Sequence, residues 1–235
     1  MSDTVDARVA IFDFGLGNLY SVKHACAHVG LTAAVTSSPA EVSAADAIIL
    51  PGVGAYADAM NTLDRLGLSN VIREFVASGR PLVGICLGMQ LLMSTSDEFG
   101  RHEGLGIIDG SVVRFQDPAA GGRKLKVPQI GWNGIHRVPA QDGRDPWTAT
   151  FLDGIAEGEP MYFVHSYVVQ PADPRVVLST TTYGDAQFCS SLRYKNVAAC
   201  QFHPERSGPQ GLKIYRNLAR MIAGRVKEKS SESVV

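Results

Sequence analysis

The sequence predicts a single α/β domain: a central, mostly parallel sheet flanked by helices, with an antiparallel extension along one side. Three observations predict it. In the first half, short runs of continuously apolar residues alternate with helical stretches, the pattern of parallel strands covered on both faces. From residue 111 onward, strands follow one another with few helices between, at hairpin-like spacing. No internal repeat and no linker-like stretch divides the 235 residues, a length that fits one larger α/β domain.

Taken in order, residues 9–14 read as a buried strand followed by a Gly15-Leu16-Gly17 loop. Asn18 is a favourable N-cap for a helix in which Leu19, Val22, Cys26 and Val29 share a face, and Gly30 closes it. Residues 33–36 form a short strand, and 46–50 (DAIIL) form another that runs straight into PGVGAY. A helix over 69–78 precedes Gly79, a strand over 81–85 and a further helix starting at Leu87. Residues 111–115, 134–138, 161–164, 176–183, 188–194 and 197–202 read as strands, with YGDAQ as a hairpin turn. The last helix covers 209–223, while 116–122 (QDPAAGG) and 141–146 (QDGRDP) read as exposed loops. The expected boundaries are a disordered N-terminus over 1–7, one domain over 8–224 and a polar C-terminal tail over 225–235.

Hydrophobic content of 45%, charged content of 19% and a net charge of -1 allow a full core. They carry neither the electrostatic footprint of a nucleic-acid partner nor a basic amphipathic stripe for a membrane. The opening MSDTVDARVA is acidic and polar, unlike a secretion signal, and no apolar run approaches the ~20 residues that span a bilayer. The 4 cysteines show neither CxxC pairs nor the spacing of a disulfide framework or zinc site. A reduced, cytoplasmic setting is the expectation, with no metal.

Gly84-Ile85-Cys86-Leu87-Gly88 sits between an apolar strand and a helix, with the G-x-[SC]-x-G spacing of a nucleophile elbow. A side chain at such a corner is held in strained backbone, and the flanking glycines permit close packing. A helix starting at Leu87 would turn its free N–H groups toward the sulfur and favour thiolate, and the Leu87 N–H is placed for a developing oxyanion. A buried packing cysteine is the other reading, since free cysteines are among the most buried residues, and the corner alone leaves both standing. A nucleophile needs a base. Residues 197–202 run into His203-Pro204-Glu205, where proline fixes the turn and Glu205 can accept from one ring nitrogen of His203, leaving the other for a thiol. A strand end carrying an exposed ion pair would read the same way. His24, His28, His102 and His136 lack such a setting and are assigned to surface or packing roles.

GICLGMQLL with QFHPERS resembles the class I, triad-type glutamine amidotransferases. More narrowly, PGVGAY, QIGWN, YFVHSY and CQFHPERSG resemble the glutaminase subunits of imidazole glycerol phosphate synthase in histidine biosynthesis, over essentially the whole chain. The resemblance implies that Cys86 attacks the carboxamide of L-glutamine, that His203 moves the proton, and that Glu205 orients His203. It implies a cysteine thioester and no cofactor, with Val53 giving a second oxyanion N–H in a peptide made mobile by Gly52 and Gly54. Gln90, His165, Ser166 and Tyr167 correspond to glutamine-holding positions, although Gln90 could instead cap or face solvent and the HSY stretch could be a plain strand end. The implied partner is a (β/α)-barrel cyclase subunit, forming a heterodimer that receives ammonia. Trp132 would sit at that interface, with Gln129, Asn133 and Arg206 nearby. The chain departs from the family's usual His and Lys at Gln129 and Arg206. Other amidotransferase glutaminases, such as that of pyridoxal-phosphate synthase, a γ-glutamyl hydrolase, or a binding module with this fold are the alternatives.

Overall fold

The computed structural model describes residues 5–13, 15, 17–139 and 143–232. Parts of the expectations fall on residues 1–4, 14, 16, 140–142 and 233–235, which lie outside the described residues: N-terminal disorder, the end of the first strand, the first loop, the start of the 141–146 loop and the end of the tail. Strand β1 (Val5–Phe12) already covers residues 5–7, which the sequence assigned to a disordered terminus. Helix α1 (Leu19–His28) buries Val22, Ala25 and Cys26, and Gly30 turns the chain at φ +80° into β2 (Leu31–Thr36).

Next come α2 (Pro39–Ala44), β3 (Ala47–Leu50), α3 (Tyr56–Arg65) and α4 (Leu68–Ala77). The expected order has no helix at α2 or α3. Ser38 caps α2 by accepting from the Glu41 N–H at 3.4 Å, with proline in the first turn. Tyr56, Ala59, Met60 and Leu63 form the buried stripe of α3.

After β4 (Leu82–Ile85), α5 (Leu87–Leu91) is only 5 residues long before β5 (Met93–Ser96) starts. Strands β6 (His102–Glu103) and β7 (Ile108–Arg114) pair with β5. The expected loop at 116–122 instead contributes to a small hairpin of β8 (Ala119–Ala120) and β9 (Arg123–Lys124). Strands β10 (Gln129–Gly134), β11 (His136–Arg137), β12 (Pro160–His165), β13 (Tyr167–Pro171), β14 (Val177–Tyr183), β15 (Ala186–Tyr194) and β16 (Val197–Cys200) complete the strand-rich half. Helix α6 (Gly208–Glu232) runs well into the segment expected as a separate tail.

The main sheet has the order β11-β14-β15-β16-β4-β3-β1-β2. From β2 to β16 the neighbours are parallel; from β16 to β11 they are antiparallel. The 2-residue strand period splits its side chains between two cores. Val9, Ile11, Ile49, Val83 and Ile85 pack with α1 and α6, while Ala10, Phe12, Ile48, Leu50 and Leu82 pack with α3 and α4. Covering both faces explains why these strands read as continuous apolar runs. It also leaves the C-terminal ends of β3, β4 and β16 as one rim.

Candidate active site

Strand β4 ends at Ile85 and α5 starts at Leu87, so Cys86 alone makes the corner. Its φ of 55° is rarely adopted by residues other than glycine, and such a residue stores strain held by its surroundings. The Cys86 N–H donates to the Cys200 carbonyl at 2.8 Å, carrying the β4–β16 ladder one residue further. The glycines serve packing: a side chain on Gly88 would overlap the Leu50 carbonyl, and one on Gly84 would press to 3.1 Å against Gly88. A helix of 5 residues has a small dipole, so the expected help of α5 to a thiolate is weaker than the sequence suggests. The sulfur's direct neighbours matter more.

The far end of the chain brings His203 to the same rim. Its N–H donates to the Tyr162 carbonyl at 2.9 Å, and its carbonyl accepts from Ser207 Oγ at 2.7 Å. Pro204–Arg206 forms a 3-10 turn. That turn folds Glu205 back onto the ring, with His203 Nδ1 and Glu205 Oε1 2.8 Å apart and side chains 5% and 1% exposed. Nε2 is buried without a hydrogen-bond partner, and Cys86 is among the groups that act on the ring's charge. Burial works against the imidazolium, but the sulfur and then Glu205 outweigh it and raise His203 from 6.5 to about 10. Burial pushes Cys26 and Cys189 up to about 12 and Cys200 also well up, holding them as packing thiols.

Cys86 opens into a cavity of about 250 Å³. Of the residues singled out in the sequence, Val53, Gly54, Leu87, Gln90, His165, Ser166 and Tyr167 line it. Gly52 reaches the site by another route: its carbonyl accepts from the Leu87 N–H at 3.3 Å. Because a trans peptide points its C=O and N–H in opposite directions, the Val53 N–H faces away from the sulfur. The expected pair of oxyanion donors is therefore not assembled in this state; one is occupied and the other is turned out. Gly54 sits at φ +110°, where other residues are strained.

Gln90 is buried and gives its amide nitrogen to the Tyr167 carbonyl at 3.0 Å and to Gln201 Oε1 at 3.1 Å. His165 Nδ1 donates to the same Tyr167 carbonyl at 3.0 Å, and Nε2 is buried without a partner. Burial lowers His165 to about 3, with the Tyr167 bond opposing and His203 adding to the fall, so the ring is neutral. Sequence reasoning missed two residues here. Glu98 lines the cavity and accepts from the Tyr56 N–H at 2.6 Å, with burial raising its carboxyl. Gln201 is fully buried and places Nε2 3.5 Å from Cys86 Sγ. Glu98 has no local sequence signal; Gln201 had one, standing two residues before the histidine and directly after β16.

Strand β10 begins beside this cavity, since Pro128 lines it. Its alternation sorts the residues expected at or near the interface. Gln129 is 0% exposed, and it donates to Asn133 Oδ1 at 2.9 Å, while Asn133 donates to the Thr182 carbonyl at 3.4 Å. Gln129 faces inward, and Asn133 is half-buried between it and Thr182. Ile130 and Trp132 face outward, 63% and 55% exposed. Trp132 packs edge-on to Tyr162, and the exposed Arg206 guanidinium lies 4.7 Å over the same ring. Among the described residues no His, Cys, Asp and Glu group converges to hold a metal, and no helix is long and apolar enough to cross a membrane. A larger depression of about 590 Å³ lies at the other end of the sheet, lined by Arg73, Lys195 and Asn196, away from Cys86.

The family model described as glutamine amidotransferase class-I matches residues 10–221. The fold agrees: a crystal structure titled glutamine amidotransferase aligns with a TM-score of 0.67 at 20% identity, over 92% of this chain and 98% of that one. The PurLQS structure from Thermotoga maritima also aligns, with a TM-score of 0.65 at 17% identity and coverage of 91% and 98%. Fold and corner cysteine thus define a class I glutamine amidotransferase. The chain is 48% identical to the imidazole glycerol phosphate synthase subunit HisH of Syntrophotalea carbinolica, over 91% of this chain and all (100%) of that one. It is 41% identical to a HisH subunit of Legionella pneumophila, over 92% and 100%. The chain belongs to the family of imidazole glycerol phosphate synthase HisH subunits.

Proposed function

We propose that the protein hydrolyses L-glutamine to glutamate and ammonia through a Cys86 thioester, and passes the ammonia to a cyclase subunit that makes imidazole glycerol phosphate. The observation that carries this reading is the meeting of Cys86 with the bonded His203–Glu205 pair beside one small cavity. For attack, the Cys86 thiol gives its proton to His203, leaving a thiolate beside the imidazolium. The sulfur attacks the carboxamide carbon, and His203 returns the proton to the nitrogen that leaves as ammonia. Water then attacks the thioester, His203 takes a proton from it, and the C–S bond breaks with its electron pair on sulfur.

The cavity suits an amino acid with a carboxamide side chain. Glu98 offers a carboxylate to the substrate ammonium. Gln90 has committed its amide nitrogen to the protein, so it offers the substrate its carbonyl oxygen. Neutral His165 offers a lone pair at Nε2, and Ser166 and Tyr167 close the wall.

Catalysis waits on the Gly52–Val53 peptide. Rotating it would release the Leu87 N–H and bring the Val53 N–H inward, giving two donors to the developing oxyanion. Ile130 and Trp132, exposed on the strand that starts at this cavity, are the surface on which a partner would seat and bias that rotation. The test is glutamate release from the purified protein, measured alone and with the cyclase subunit plus its nucleotide. Release that rises steeply in the complete mixture supports the reading; none in any mixture ends it.

A further inference from the structure

A hydrogen-bond relay outside the triad ends on the attacking sulfur. It begins at the Tyr167 main-chain carbonyl, which accepts from Gln90 Nε2 at 3.0 Å. The same nitrogen donates to Gln201 Oε1 at 3.1 Å, and Gln201 Nε2 faces Cys86 Sγ at 3.5 Å. The direction is forced. A main-chain carbonyl has no proton to give, so Gln90 must turn its NH₂ to Tyr167, and Gln201 must then receive at oxygen and donate at nitrogen. Gln201 is 0% exposed, so no water competes for that N–H. The other backbone group near the sulfur, the Val164 carbonyl at 3.9 Å, can only accept and so suits the thiol rather than the thiolate.

We propose that Gln201 is a further catalytic residue, whose side-chain N–H stabilises the Cys86 thiolate, with Gln90 and the Tyr167 carbonyl as its positioning groups. This rests on the glutaminase reading above. The thiolate occurs twice in that reaction: before attack, and when the thioester C–S bond breaks and sulfur takes the electron pair. The intervening thioester sulfur is neutral and a poor acceptor, so the donor acts on the two charged states. The ionisable groups about the sulfur are His203 and Glu205 from the turn after β16, Cys200 from β16, neutral His165 from β12, and Glu98 after β5. Among these groups none but His203 can donate to it as a cation; Gln201 donates without changing charge at any pH.

The experiment is the pH profile of Cys86 alkylation by iodoacetamide in the full chain, followed by mass spectrometry. Gln201→Met keeps length and removes the donor; Gln201→Glu keeps an acceptor for Gln90 and removes the amide. In both, the pH of half-maximal labelling is expected to rise by about one unit, roughly tenfold less thiolate below it. The high-pH plateau is expected to stay equal or rise, because the sulfur is no longer held. Gln90→Met should move the half-point the same way by less, and adding it to Gln201→Met should move it no further. An unmoved half-point, or labelling that falls equally at every pH, would overturn the role and leave Gln201 a packing residue. Wild-type glutamate release with the cyclase subunit is measured in parallel: its absence sinks the glutaminase reading, whereas the labelling half-point alone decides Gln201.

Discussion

Cys86, His203 and the Glu205 side chain are buried and tied to main chain or to one another, while among the described residues Gly52–Val53–Gly54 makes one hydrogen bond, at 3.3 Å to the Leu87 N–H, with Val53 39% exposed. One region is finished for its chemistry; the other is held in a closed alternative. The cores behind them explain the contrast. The corner at Cys86 rests on the β3, β4 and β16 ladder and on glycines packed against main chain. The 52–54 segment leaves β3 at the rim and has glycines on either side of Val53, so its peptide plane can turn at little cost. On the function proposed above, the comparison teaches that nucleophile and base can be kept intact while a peptide rotation governs turnover.

The comparison breaks most severely at the finished side. Cys86→Ala should reduce glutamate release with the partner by at least ~10³-fold, to background, because covalent attack is lost. Glu205→Gln should cost about 10²–10⁴-fold in kcat with KM little changed, since it leaves His203 without the carboxylate that orients and supports its charged form. Trp132→Ala should act on the other region. It is expected to weaken the cyclase complex by roughly thirtyfold, about 2 kcal/mol, in a calorimetric titration, while iodoacetamide labelling of Cys86 stays at the wild-type rate.

A smaller effect sharpens how firmly the finished side is buried. His165 is lowered from 6.5 to about 3 by burial, so below pH 6.5 the unfolded chain binds a proton that the folded chain refuses. Stability from this group is present in full above 6.5 and falls by about 1.4 kcal/mol per pH unit down toward its folded value. Denaturant unfolding of His165→Gln should therefore show a flatter loss between pH 6.5 and 4 than the wild type. Equal slopes would mean that the ring is not held neutral.

How much of this was legible in the sequence follows from how local each feature is. The corner needed only a glycine on each side of a cysteine between strand and helix, and the base needed only a histidine and a glutamate joined by proline. The parallel half of the sheet was readable because burial on both faces makes its strands continuous apolar runs. Helix α3 carried its period in Tyr56, Ala59, Met60 and Leu63, but no element is assigned from sequence to the stretch after PGVGAY. The burial of Gln129 was not legible because strand pairing decides its face: opposite His165 in β12 it points into the protein, while Ile130 and Trp132 point out. Glu98 and Gln201 depend on contacts across long stretches of chain, Glu98 through Tyr56 and Gln201 through Gln90 and Cys86. Glu98 carries no periodic or flanking signal, and the only one for Gln201 is its place two residues before His203.

The most direct measurement of a finished triad beside a closed oxyanion loop is a crystal structure of the Cys86→Ala chain bound to glutamine and the cyclase subunit. The Gly52 carbonyl should have left the Leu87 N–H, with the Leu87 and Val53 nitrogens each about 3 Å from the substrate carboxamide oxygen and His203 still bonded to Glu205. An unrotated Gly52–Val53 peptide in that complex, in a wild-type assembly that releases glutamate at full rate, would contradict the account.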